Sequence, residues 1–376
     1  MYECTRTSAR AKRIVVKVGT STLVRTSGKP DFRRMDRLVR EIADLKNAGR
    51  EMVLVSSGAI AIGMDSIGLQ KKPAEIPARQ ALAAIGQSSL MTLYKKFFAD
   101  YGQTAAQVLL TKENAARHHQ YANSRNALLE LLAMGAVPVI NENDVVAVDE
   151  IKIGDNDTLS ATVATLIDAD ALLILSDIDG LYTANPQEDK TARLIPEVAE
   201  ITPEIERMAG GAGSSFGTGG MATKIEAAKI AVNAGATFVI APSAKDDVIS
   251  AVLAGEIVGT VFPAKESHLR VRKSWLAFGK RIAGDVIVDE GCEEAMRTHG
   301  SSLLAAGIRG VEGDFAAGTT VRVLSARQQE IARGIVNYSA QQIEKIAGRK
   351  SRDFAGLIEG EIHEEVIHRD NMVLMV

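Results

Sequence analysis

The sequence predicts an α/β protein, with a mainly parallel sheet sandwiched by helices and a small strand-rich domain after it. Three observations predict this. Short runs such as RIVVKVG, EMVLVSSG and ALLILSD have apolar stretches without alternation, as strands buried on both faces do. Segments with helical spacing of apolar residues separate them. After Pro263 that rhythm ends, and shorter β-like runs divided by Gly and Asp turns take over.

The elements follow in order. RIVVKVG (Arg13–Gly19) is the first strand, ended by glycine. Asp31 caps a helix in which Met35, Leu38, Val39, Ile42 and Leu45 recur at helical spacing, and Gly49 stops it. Glu51–Gly58 is the second strand, and a long helical pattern runs from Ala78 to Asp100. AAQVLLT, a helix through NALLELLAMG, the strand VPVI and a helix in DNDTLSATVATLIDAD come next. ALLILSD is a strand, and the helix MATKIEAAKIAVNAG feeds the strand TFVIAP. KESHLRVRKSWLAFGKR reads as a basic linker, followed by β-like DVIVD, TTVRVL and IARGIVNY and one short helix around CEEAMRTHG. The expected domains are residues 13–265, a linker at 266–281 and a second domain at 282–360.

Composition narrows the function. A net charge of −3 over 376 residues argues against a protein that coats nucleic acid. Cys4 and Cys292 are the only cysteines, which excludes a disulfide framework and zinc-ligand spacing. The start MYECTRTSARAKR has no apolar signal core, and no apolar run approaches the roughly 20 residues of a membrane helix. The expected location is the cytoplasm.

Ligands of open parallel sheets bind beyond the carboxyl ends of the strands. Polar clusters fall there repeatedly. They are Lys17, Gly19, Thr20 and Ser21; Ser56, Ser57 and Gly58; Asn141, Glu142, Asn143 and Asp144; and Ser176 with Asp177. Asp155, Asn156 and Asp157 open a helix, and Lys224 sits in the first turn of another, behind the glycine run GTGGMATK. That run does not have P-loop spacing. Taken singly, glycine after a strand is a turn, and Asn or Asp before a helix is a cap. Lys17 resists so bland a reading. It lies among valines, where an unpaired ammonium would cost several kcal/mol in order of magnitude.

Such an edge suits phosphoryl transfer. Loop amides and helix N-termini donate to phosphate oxygens, lysines follow the migrating charge, and a carboxylate between them, Asp157, would orient both. The six histidines avoid these clusters. A carboxylate acceptor, already ionised at neutral pH, requires no general base.

These residues resemble the amino acid kinase family, with a C-terminal PUA domain. The resemblance spans nearly the whole chain: KVGTS, VSSGAIAIG, LLTKEN, PVINENDVVAVDEIKIGDNDTLSA, LSDIDGLYTANP, GTGGMATKIEAA, and in the tail VDEGCEEAMRTHGSSLLAAGI and IVNYSAQQIEKIAG. INEND, IKIGDND and GTGGMATK in that order point to the members that phosphorylate L-glutamate. The resemblance implies ATP- and Mg2+-dependent phosphorylation of the glutamate side-chain carboxylate to L-glutamyl 5-phosphate, the first step of proline biosynthesis. It places Lys17 and Lys224 on the transferring phosphoryl group, with Asp157 organising them. It places glutamate on Ser57, Asp144 and Asn156, with Asn141 and Asp155 close by. The ATP site takes Lys17, Ser176, Asp177, Thr218, Gly219, Gly220, Met221, Ala222, Thr223 and Lys224. Inhibition by L-proline and a dimeric or tetrameric homo-oligomer are further expectations; the Mg2+ ligands stay open.

The alternatives are an aspartate or N-acetylglutamate kinase of the same family, and an RNA-binding protein acting through the tail. From Ile282 to Lys350, acids balance bases and Phe315 and Tyr338 are the only aromatics, which argues against RNA.

Overall fold

The computed structural model describes residues 10–111, 118–146, 156–186, 188–210, 220–264, 282–354, 356–358 and 362–375. The chain divides into two units, Met1–His268 and Leu269–Val376. The expected linker at 266–281 lies outside the described residues.

In the first unit the strands are β1 (Arg13–Val18), β2 (Glu51–Ser56), β3 (Ala105–Leu110), β4 (Val137–Glu142), β5 (Ala171–Ser176), β6 (Thr237–Pro242) and β7 (Thr260–Phe262). They form one sheet in the order β3-β4-β2-β1-β5-β6-β7. Pairings among β1 to β6 are parallel, and β7 runs antiparallel to β6. From β1 the chain places β2 alongside, goes out to β3, inserts β4 between β3 and β2, then crosses back to place β5 on the other flank of β1. The crossover direction therefore changes at β1 and β5, where an open sheet leaves a crevice at its carboxyl edge.

Both faces are covered. Ile14, Val16 and Val18 pack in one apolar cluster, while Val15 packs in the other, with Leu159, Ala161, Ile225 and Ala228. This two-sided burial explains why the strands read as continuous apolar runs. The edge strand β3 is only half-buried and exposes Gln107. The helix Phe32–Asn47 is capped by Asp31, which accepts from the Arg34 backbone N–H; Met35, Leu38, Val39 and Ile42 form its buried stripe.

One helix crossing fixes the site's geometry. Helix Ala59–Ser66 starts directly after Ser57 and Gly58 and packs on helix Ile76–Asp100. A Cβ on Gly63 would lie 2.0 Å from the Leu82 carbonyl oxygen, and one on Gly86 would lie 1.7 Å from the Ala59 carbonyl oxygen. The backbones touch, so nothing larger than glycine fits. Gly86→Ala is expected to lower stability by about 1–3 kcal/mol or more through overpacking, read from the urea midpoint. A wild-type midpoint would mean that the crossing is looser than described.

The second unit holds β8 (Asp285–Val288), β9 (Ile308–Glu312), β10 (Thr320–Leu324), β11 (Glu330–Ile335) and β12 (Met372–Leu374), in the order β12-β11-β10-β8-β9. Arg322 on β10 donates twice to Asp285 on β8, at 2.6 Å each. Two of its strands and one of its α-helices were not expected: β9 carries Gly310 at its centre, which weakens its strand pattern, and β12 is only three residues long. Helix Ala340–Ile346 did carry a signal: Ser339 and Gln342 form a capping box.

Candidate active site

Lys17 lies on β1 opposite Val55 of β2 and Ile174 of β5, so it stands at the switch point. Strand alternation sends its side chain to the face of Val15, where helices Asn156–Leu166 and Met221–Asn233 pack. There the Lys17 ammonium contacts Asp157 Oδ1. Lys224 Nζ, from the first turn of the second helix, lies 3.1 Å from Asp157 Oδ2. The Thr223 hydroxyl donates to the same Oδ2 at 3.1 Å and lies 2.7 Å from the Gly220 carbonyl oxygen. Lys17, Asp157 and Lys224 are 7%, 0% and 5% exposed.

The charge count matters as much as the distances. Two ammonium groups share one carboxylate, so the buried trio carries an excess positive charge. Buried cations favour a further anion beside them, a phosphate group would supply one, and the amide end of helix Met221–Asn233 offers donors of the kind that bind phosphate.

Burial is the largest influence on Asp157 and pushes its carboxyl up, but Lys17 and Lys224 together outweigh it and hold the carboxyl below its ordinary value. A lowered folded-state value means the ionised form stabilises the protein above the ordinary carboxylate range. That stabilisation is lost as pH falls through the lowered value. Unfolding free energy is therefore expected to decline below about pH 4, with part of the decline absent in Asp157→Asn. Parallel pH profiles for the two proteins would contradict this.

Toward β2 and β4 the polar groups are neutral. Asn156 Nδ2 faces the Ser56 carbonyl oxygen at 3.1 Å, Ser57 Oγ at 2.9 Å and Asn141 Oδ1 at 2.9 Å. Asn141 Nδ2 in turn donates to Gln87 Oε1 at 2.8 Å. The buried Tyr94 hydroxyl meets Ser56 Oγ at 2.8 Å, and burial pushes its phenol up, which keeps it protonated. Asp144 follows β4 and lines a cavity of about 370 Å³ with Gln87, Lys95, Gln107 and Glu142. Lys72 lies within electrostatic reach of Asp144. Partial burial, then the Arg79 guanidinium, push its ammonium down, and Asp144 opposes them.

Toward β5, Ser176 is buried and donates to Asp177 Oδ1 at 3.2 Å, while Asp177 is exposed at the strand end. Gly220, Met221, Ala222, Thr223 and Lys224 open their helix. Asp155, Thr218 and Gly219 lie outside the described residues. Lys17, Asp157 and Lys224 thus come together, as do Ser57, Asn141 and Asn156. Gln87 and Tyr94 were missed from sequence, although a glutamine inside ALAAIGQSSLM was a visible polar break.

Fold and site together define a phosphotransferase: a doubly covered parallel sheet with two lysines and a carboxylate at its switch point. Residues 12–241 match the amino acid kinase family and residues 284–358 match the PUA domain. The chain belongs to the amino acid kinase family. It is 49% identical over 373 residues to the glutamate 5-kinase of Moorella thermoacetica, covering 99% of each chain. It is 52% identical over 365 residues to the glutamate 5-kinase of Carboxydothermus hydrogenoformans, covering 97% of this chain and 98% of the relative. A UMP kinase from Bacillus anthracis is a more distant solved structure. It shows 15% identity and a TM-score of 0.47 over 68% of this chain and 97% of its own.

Proposed function

We propose that this kinase transfers the γ-phosphoryl group of ATP to the side-chain carboxylate of L-glutamate, giving L-glutamyl 5-phosphate and ADP, the first step of proline biosynthesis. The observation that carries the chemistry is the buried Lys17–Asp157–Lys224 trio at the switch point. Relatives named glutamate 5-kinase at 49% and 52% identity support the acceptor.

The strand order supports a linear assignment. The amino acid lies over β4 and β2, on Asn141, Asp144, Ser57 and Asn156, with Asp155 next in sequence. The nucleotide lies over β5, on Ser176, Asp177 and the Thr218–Lys224 loop. Lys17 and Lys224 lie between the two substrates. A γ-carboxylate oxygen attacks the γ-phosphorus as the bond to the β-phosphate oxygen breaks, and ADP leaves. The acceptor arrives ionised, so no proton is removed. The lysines stabilise charge on the transferring group and on the leaving oxygen, and Asp157 keeps their ammoniums apart and aimed.

Mg2+ would enter with the nucleotide. Among the described residues no cluster of three His, Cys, Asp or Glu side chains could hold a metal ion. We further propose a cytoplasmic homo-oligomer, dimeric or tetrameric, inhibited by L-proline. Among the described residues no helix is long and apolar enough to cross a membrane.

The test is ATP-dependent hydroxamate formation with L-glutamate, L-aspartate and N-acetyl-L-glutamate, with and without L-proline. Hydroxamate from L-glutamate, reduced by proline, is expected. Activity with L-aspartate or N-acetyl-L-glutamate alone would overturn the assignment.

A further inference from the structure

The amide chain running from β2 to helix Ile76–Asp100 has a fixed direction. Its first acceptor is the Ser56 backbone carbonyl, which cannot donate, so the Asn156 amide must turn its nitrogen toward it. That choice propagates. With Nδ2 of Asn156 facing inward, Asn141 must offer Oδ1 to it and keep Nδ2 for the next link. Gln87 must then accept with Oε1. The orientation of three amides, ordinarily ambiguous, is thereby settled by one carbonyl oxygen.

Two groups are left over at the ends. Asn156 Oδ1 takes no hydrogen bond from a described residue, so it remains available as an acceptor. Gln87 Nε2 makes no hydrogen bond among the described residues, and Gln87 lines the 370 Å³ cavity beside Asp144. Its position is held firmly. Neighbouring Gly86 touches the Ala59 backbone, and Gln80 Nε2 donates to the Val145 carbonyl oxygen at 3.0 Å, tying the helix start to the Asp144 loop.

We propose that Gln87 recognises the substrate: its Nε2 donates to the α-carboxylate of the amino acid, while Asp144 and Asn156 Oδ1 accept from the α-ammonium. This rests on the amino-acid kinase reading above. An α-amino acid must offer a carboxylate and an ammonium close together, and an amide donor set beside a carboxylate in one cavity matches that pair. Gln87 also holds Asn141 in register, so one side chain links recognition of the α-carboxylate to the geometry of Ser57 and Asn156.

The test compares wild type with Gln87→Glu, which keeps the acceptor for Asn141 but puts a negative charge where Nε2 was, and with Gln87→Met, an apolar near-isostere. KM for L-glutamate is expected to rise about 10- to 100-fold in both, the range for losing a hydrogen bond to a charged group. kcat and KM for ATP should stay within about threefold. The inhibition constant of 4-aminobutyrate, which lacks the α-carboxylate, should stay within about threefold of wild type in Gln87→Met and should not weaken in Gln87→Glu, whose carboxylate lies beside the ammonium site. An unchanged KM for L-glutamate would overturn the proposal. So would a fall in kcat at constant KM, which marks a role through Asn141 alone, or equal weakening of 4-aminobutyrate. If Gln87→Glu fails to fold, Gln87→Met decides. Absence of wild-type activity on L-glutamate would instead sink the underlying reading, and is told apart by the wild-type assay.

Discussion

Asp157→Ala is expected to destabilise the protein by about 3–5 kcal/mol and to reduce kcat by on the order of a thousandfold. Removing the carboxylate leaves the Lys17 and Lys224 ammoniums, both more than nine-tenths buried, without the anion that bridges them. Stranding a buried charge costs far more than the net worth of the pair it came from. Asp157→Asn retains the shape and the acceptor oxygen but not the charge, so it should fall between wild type and alanine. Urea unfolding and steady-state kinetics measure both effects. An Asp157→Ala protein as stable as wild type would show that the lysines reach solvent.

Lys224→Ala should do nearly the opposite to stability while still abolishing most activity. It removes one of two cations from a trio with excess positive charge and leaves Asp157 balanced by Lys17. The fold should change by no more than about 1 kcal/mol, since no unpaired buried charge is created. kcat should fall by about 100- to 1,000-fold, as when one oxyanion donor is removed. KM for L-glutamate should stay within about threefold, because the Ser57–Asn156–Asn141 relay does not involve Lys224. Lys224→Arg keeps the charge but replaces a point ammonium by a planar fork, so it should recover only a small part of the activity. Wild-type turnover in Lys224→Ala would place the phosphate elsewhere.

Much of this was legible in the sequence because it depends on local pattern. Continuous apolar strands announced a sheet buried on both faces. Lys17 stood out because a lysine among valines must meet an anion, and Asp157 is that anion. The glycine run before Lys224 announced a helix start, and Gly220 is its N-cap. What stayed hidden depends on contacts distant in sequence. Gln87 meets Asn141 only because Gly63 and Gly86 let two helices touch, and neither glycine reveals the other from its neighbours. The antiparallel turn of β7 and the pairing of β12 with β11 likewise follow from where the chain returns. Tyr94 lies inside the long helical pattern with nothing local to single it out, and its hydroxyl acquires a meaning only beside Ser56.

The most direct measurement is a crystal structure with ADP, aluminium fluoride, Mg2+ and L-glutamate bound, which mimics the phosphoryl group in flight. The account predicts Lys17 Nζ and Lys224 Nζ each about 3 Å from fluoride or bridging oxygen atoms, with Asp157 still between them. A fluoride group bound away from β1, or touching neither lysine, would contradict it.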